Sequence, residues 1–235
     1  MLDSPIPGVV VVSFPKSGRT WLRVMLDHLK VHLTYTHDDS GHLKRLRFDE
    51  LDADKSDYCD QRVVLLIRDP RDVVVSGFFM ATHRLGLYRG DLSAFLRDER
   101  HGLQKVLAFN QAWYAARHQV ADFLLVRYER MHEDLEAVQR RILRFVDRRV
   151  DDNALRDAIE LGRFPNMQRL ERTGYFEQQY GVLLAGGSDD PDSLKTRRGK
   201  VGGYVDYLGP EDLAYCQRLL EETGYPLMQR TGDEA

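Results

Sequence analysis

Four consecutive valines, Val9 to Val12, run on into Ser13 and Phe14 and constrain the fold of this chain more than any other feature. A β-branched run with no polar alternation has no solvent face, so it reads as a strand covered on both sides, in the middle of a parallel sheet. Pro15-Lys16-Ser17-Gly18-Arg19 then makes a tight turn. From Thr20 to about Lys30, Trp21, Val24, Met25, Leu26 and Leu29 fall at helical spacing. A buried strand that turns through a glycine into a helix points unpaired N–H groups at whatever lies beyond the strand end, and this suits an anion. Lys16 adds a point charge, Ser17 and Thr20 add hydroxyls, and Trp21 offers a face on which a purine can stack. The plain alternative is a strand-to-helix turn with an exposed lysine and a core tryptophan. It loses ground because turn, donors, cation and ring sit together at the mouth of a buried strand.

The rest of the chain repeats the alternation. His32 to Thr36 reads as a short strand, Val63 to Ile67 as a second buried strand and Phe123 to Val126 as a third. Helical spacing follows Pro70, which suits a first helical turn, and recurs over 91–98, 103–119, 133–146, 152–161 and 211–223. Residues 49–60 hold six acids and one lysine, a solvated loop or helix face. The glycine-rich stretch 180–203, with the basic cluster Lys195-Thr196-Arg197-Arg198-Gly199-Lys200, reads as a mobile loop. Strands alternating with helices argue for an α/β fold: a central, mainly parallel sheet flanked by helices, in a single domain over residues 1–235.

Composition excludes several classes. With 34 Lys+Arg against 37 Asp+Glu the net charge is −3, without the basic excess of a nucleic-acid binder. Anion binding must come from local clusters. Cys59 and Cys216 are too few for a disulfide framework or a metal-ligand set, and a reducing interior is the simpler reading. No signal peptide precedes Val9, and no apolar run is long enough for a bilayer, so a cytoplasmic protein without membrane attachment is expected.

Two further segments extend the anion site. Val64-Leu65-Leu66-Ile67-Arg68-Asp69-Pro70-Arg71-Asp72-Val73-Val74-Val75-Ser76 carries Arg68 off the carboxyl end of a strand, where open α/β sheets place their ligands. A surface network among Arg68, Asp69, Arg71 and Asp72 is the common alternative. The other segment is Arg197-Arg198-Gly199-Lys200-Val201-Gly202-Gly203-Tyr204.

Together these segments resemble the sulfotransferases that use 3′-phosphoadenosine 5′-phosphosulfate (PAPS) and release 3′-phosphoadenosine 5′-phosphate (PAP). Phe14-Pro15-Lys16-Ser17-Gly18-Arg19-Thr20-Trp21 is similar to the P-loop-like 5′-phosphosulfate loop of that family and departs from it at Arg19, whose backbone N–H is kept. A kinase-type phosphate loop differs, because its lysine follows the glycine. The resemblance implies that Lys16, Ser17, Gly18, Arg19, Thr20 and Trp21 hold the phosphosulfate end, and that Arg68 and Ser76 bind the 3′-phosphate. It also implies that Arg197, Arg198 and Gly199 clasp the 3′-phosphate, in a loop where Arg198 replaces the family's Lys and Gly203-Tyr204 its Asp-Trp. Tyr128 in Val126-Arg127-Tyr128-Glu129, and Phe164 with Met167, would complete the adenine pocket.

The implied reaction moves a sulfuryl group to a hydroxyl or amine of a small-molecule acceptor by in-line transfer, with Lys16 stabilising charge on the departing phosphate and no metal required. A hydroxyl acceptor also needs a base. Thr36-His37 is similar to the family's Lys-Thr-His, which implies His37; Asp38, Asp39, Glu50 and His83 are the other candidates. Two other classes stay open at this level, a nucleotide phosphotransferase and a non-catalytic nucleotide-binding module on the same scaffold. The acceptor has no legible motif, and no oligomeric state is implied.

Overall fold

The computed structural model describes residues 5–181, 194 and 196–226. Its strands are β1 (Val9–Ser13), β2 (Thr34–Thr36), β3 (Arg62–Ile67) and β4 (Asp122–Arg127). They form one sheet in the order β2-β1-β3-β4, with every neighbouring pair parallel. The helices are α1 (Arg19–His28), α2 (Pro70–Phe79), α3 (Leu92–Arg97), α4 (Leu103–Ala115), α5 (Tyr128–Glu133), α6 (Leu135–Phe145), α7 (Asp152–Leu161), α8 (Phe164–Arg172), α9 (Tyr175–Tyr180) and α10 (Pro210–Glu222). The expected α/β architecture is present.

All five residues of β1 are buried, and the two-residue period of a strand divides them between two cores. Val10 and Val12 join Val63, Leu65 and Leu125 under α2, α4 and α10, whereas Val9 and Val11 join Val64, Leu66 and Val126 under α1, α6 and α7. β1 therefore needs apolar side chains at every position. From β1 the chain crosses through α1 to β2, and from β3 it crosses in the opposite direction to β4. The connections diverge between β1 and β3, so a crevice opens beyond their carboxyl ends.

Several boundaries differ from the expectation, each for a local reason. The helix foreseen over 133–146 starts at Leu135, because the Asp134 carboxylate accepts the Ala137 N–H at 2.9 Å and caps it. The segment just before it is a separate short helix, α5. The helix foreseen to 119 ends at Ala115 and tightens into a 3-10 turn over Ala116–His118. No helix was expected at α8 and α9; Pro165 in the first turn of α8 and Gly174, left-handed at φ 73°, before α9 are their local signals. The acidic stretch 49–60 is not uniformly solvated: Lys55 is buried, with its ammonium 2.7 Å from the Asp38 carboxylate. Within the stretch read as a mobile loop, residues 182–193 and 195 lie outside the described residues, and Gly203–Asp206 forms a 3-10 turn.

The turn after β1 depends on one glycine. Gly18 has φ 99°, and a Cβ there would stand 2.5 Å from Cδ2 of Tyr128. Gly18→Ala should lower stability by about 1–3 kcal/mol through the left-handed backbone and the clash with the ring. Chemical denaturation checks this, and an unchanged midpoint would contradict it.

Candidate active site

β1 and β3 run side by side in register, Ser13 opposite Leu66, so the loops that follow them open into one crevice. Lys16 leaves the first loop with φ 75°, a conformation unusual for a side-chain-bearing residue. Arg68 leaves the second. Its guanidinium donates to the Lys200 carbonyl at 3.1 Å and to the Lys16 carbonyl at 3.4 Å, stands 3.5 Å from Asp72 and lies 4.3 Å above the Tyr128 ring. The surface network that was the alternative reading exists in part. Arg71 pairs with Asp69 at 2.6 Å, and Asp69 caps α2, but Arg68 faces the crevice.

Two buried carboxylates suspend the late basic loop over this crevice. Asp72 accepts the Gly202 and Tyr204 N–H groups at 2.8 and 2.9 Å. Glu171 on α8 accepts the Thr196 N–H at 2.8 Å and also its hydroxyl. The stretch from Arg197 to Lys200 hangs between these points. Arg197 stacks 3.8 Å from the Phe79 ring centroid and donates to the Tyr207 hydroxyl. Arg198 and Lys200 both reach Asp206, at 2.9 and 2.8 Å.

Beside Arg68, Trp21, Tyr128 and His132 form an aromatic cluster. Trp21 donates its indole N–H to the Gly162 carbonyl at 2.7 Å, meets the Tyr128 ring edge-on at 5.5 Å and lies 4.8 Å from the His132 ring. Phe164 packs against Gly199, where a Cβ would come within 2.6 Å of its ring. Glycine is required here because the backbone of the basic loop rests on an aromatic face.

These groups line a cavity of about 660 Å³. Lys16, Gly18, Arg19, Thr20, Trp21, Arg68, Ser76, Tyr128, Phe164, Arg197, Arg198 and Gly199 all reach it, and so does His37. Ser17 does not; its hydroxyl is buried beneath the loop without a hydrogen-bond partner among the described residues. Among the described residues nine lysine and arginine side chains line the cavity against one carboxylate, Asp72. Arg68 also keeps a buried Nε without a hydrogen bond among the described residues. A cavity of this charge with orphaned donors fits a ligand carrying several anionic groups.

The candidate bases separate by position. Asp38 accepts hydrogen bonds from the Trp113 indole at 2.9 Å and Tyr58 at 3.2 Å besides pairing with Lys55, which makes it a tether for the loop after β2. Asp39 pairs at the surface with Lys44, Glu50 accepts the Arg47 N–H, and His83 is exposed beside Phe79. None of these four lines the cavity. His37 does, and its Nδ1 lies 2.6 Å from the Ser13 carbonyl. A carbonyl can only accept, so Nδ1 carries the proton and the lone pair belongs to Nε2. A second histidine in the wall, His42, is pushed down to about 3 by burial and by its neighbours His101 and Lys105, which makes it a poor base at neutral pH.

Sequence reasoning did not single out Glu171, Arg84, Gly162, His132 or His42, and it met Asp72 in the Arg68–Ser76 segment and in the surface alternative without giving it a role. Asp72 had a usable signal, four residues after Arg68 at the start of a helix. Arg84 had none. It reaches the cavity because α2 runs into a π-helical turn at Met80–Arg84, which rotates the following side chains.

Fold and cavity together define an α/β protein with a cation-lined cavity at the carboxyl edge of a parallel sheet, suited to a ligand with several anionic groups. The sulfotransferase domain model matches residues 57–232, more than half of the chain, and the chain belongs to that family. The match includes Arg68 and the late basic loop and begins after Lys16. Cytosolic sulfotransferase 12 of Arabidopsis thaliana is 22% identical over 262 residues, 91% of this chain and 76% of that protein. The crystal structure of mouse sulfotransferase SULT7A1 complexed with PAP superposes with a TM-score of 0.70 at 19% identity, over 99% of this chain and 87% of that one. Retinol dehydratase in complex with androsterone and inactive cofactor PAP gives 0.69 at 17% identity, over 99% and 84%. Among the described residues no helix is long and apolar enough to cross a membrane.

Crowding has a measurable consequence at Lys16. Burial, followed by the charge of Arg84, pulls its ammonium down to about 7; Arg68 and Arg197 add to the shift and Glu171 opposes it. An anion bound against Lys16 favours the protonated form, so binding takes up a proton once the pH exceeds about 7, and affinity for PAP falls as pH rises further. Calorimetry at pH 8 in buffers of different ionisation enthalpy should show this uptake, and Lys16→Met should abolish it. Buffer-independent enthalpies in the unmodified protein would contradict the assignment.

Proposed function

We propose that the protein transfers a sulfuryl group from PAPS to a hydroxyl or amine of a small-molecule acceptor and releases PAP. The observation that carries this reading is the meeting of Lys16, Arg68, Arg197 and Arg198, from three separate motifs, in one cavity with His37 in its wall. Family membership supports the class of reaction.

In this reading the donor, when bound, supplies an activated sulfuryl group on its 5′-phosphate, and the acceptor–sulfur bond forms as the bond from sulfur to the phosphate oxygen breaks. Lys16 and the N–H groups at the start of α1 stabilise the charge that grows on that phosphate oxygen. Ser17 supports the loop from beneath. Arg68, Ser76, Arg197, Arg198 and the Gly199 backbone hold the 3′-phosphate, with Arg68 able to form a bidentate pair. Trp21, Tyr128 and Phe164 border the adenine. His37 receives the acceptor's proton at Nε2, in the tautomer held by the Ser13 carbonyl.

Arg68→Ala removes a charge-assisted contact worth roughly 1.5–3 kcal/mol, so affinity for PAP should drop about ten- to a hundredfold. Calorimetry against PAP and 5′-adenosine monophosphate checks this; an unmodified protein with no preference for the 3′-phosphorylated ligand would overturn the donor assignment. His37→Ala should cost about a hundredfold or more in turnover while PAP binds as before. A near-normal rate would remove His37 from the reaction.

A further inference from the structure

Of the cavity cations whose side chains are not assigned to the donor, Arg23, Arg84, Arg163 and Lys200 each have an acidic neighbour, and Arg19 has none among the described residues. Arg19 opens α1 and lines the cavity half-buried, and among the described residues no ion pair or hydrogen bond holds its guanidinium. The groups acting on it are Arg23 and the Tyr35 hydroxyl, neither of them a counter-charge at neutral pH. Burial first and Arg23 second pull it down to about 10, the mark of a partly desolvated cation without an acidic neighbour. The other arginines on this side have partners. Arg23 pairs with Asp27 at 3.6 Å and lies between the Tyr35 and Tyr180 rings, at 5.0 and 4.1 Å, and Arg84 has Glu171 as its counter-charge.

Helix geometry turns Arg19 away from Trp21, one of the groups assigned to the adenine. Successive residues turn by about 100°, so Arg19 and Trp21 project from opposite faces of α1 while Arg19 and Arg23 share one. Trp21 faces Tyr128 and His132. Arg19 faces Tyr35, which lies in β2 two residues before His37. Leu43, Met80 and Leu85 line the same cavity and supply an apolar surface. None of the acids of 49–60 reaches it, so that stretch does not select a cationic acceptor.

We propose that the acceptor is itself an anion: a small hydroxylated molecule with an apolar body and a carboxylate, the carboxylate paired with the Arg19 side chain while the hydroxyl meets His37. This rests on the sulfuryl-transfer reading and adds the charge class of the acceptor. The Arg19 backbone N–H serves the donor, and its side chain serves the acceptor.

The test uses the full chain saturated with PAP and a panel of hydroxylated aromatic acids, including 4-hydroxybenzoate and 4-hydroxyphenylacetate, each compared by calorimetry with its methyl ester. The unmodified protein should bind at least one acid about tenfold or more tighter than its ester, as a charge-assisted pair requires. Arg19→Thr should reduce that preference below about threefold, and Arg19→Lys, which keeps the charge without the fork, should retain part of it. Thermal unfolding of both variants should match the unmodified protein, because Arg19 holds no other residue. PAP affinity of Arg19→Thr should stay within about threefold, since the donor contact runs through the backbone. Equal binding of every acid and ester would overturn the inference, as would a larger loss of PAP affinity, which would assign the guanidinium to the donor. The preference of the unmodified protein for PAP over 5′-adenosine monophosphate, measured in the same series, reports separately on the donor reading. If that preference holds and the acid preference is absent, only the Arg19 assignment fails.

Discussion

The pairing of β1 with β3 governs the position of every group in the cavity. Parallel strands in register end at the same level, and their connections depart in opposite directions, so the first residues beyond each strand face a shared space that neither helix covers. Lys16 and Arg68 enter that space from the two strand ends. A one-residue slip between β1 and β3 would exchange the faces of every valine and leucine between the two cores, which makes the register costly to lose. The packing that stabilises the sheet is thus also what holds the cations together.

Holding so many cations around one cavity requires tethers, and the protein uses buried acids for that purpose. Asp72 binds two backbone N–H groups of the late loop while it stands beside Arg68, and Glu171 binds Thr196 at the other end of the same loop. Each carboxylate gains hydrogen bonds that offset its own desolvation and partly balances the charge of the site. The remaining positive excess faces the cavity. A polyanion entering it would exchange water for preorganised donors, and its charge would oppose the burial and the neighbouring cations that lower Lys16. Asp38 does comparable work outside the cavity by tying the loop after His37 to Trp113 and Lys55.

Much of this was legible because the informative segments are local. The valine run, Gly18 and the helical spacing after it specify a strand, a turn and a helix within some twenty residues, and the stretch after Val63 does the same for Arg68. Boundaries shifted where a single side chain decided them, as Asp134 does at α6. Lys55, Glu171 and Arg84 were not legible, since their roles depend on partners more than fifteen residues away or on a π-helical turn that no residue type announces. His37 could be singled out because Thr36-His37 resembles a family segment, but the difference between it and the rival Asp38 lies in which one turns toward the cavity.

By itself the sequence determined the parallel sheet and the strand–turn–helix after β1, because each follows from residue types at short spacing along one backbone segment, and three motifs in order along the chain carried the resemblance to the family. Only the tertiary structure decided which charges meet, which acids serve as tethers, and that Arg19 lines the cavity without a counter-charge among the described residues. Those outcomes depend on distances between segments far apart in the chain, and Coulomb and desolvation energies depend on such distances and not on order along the chain.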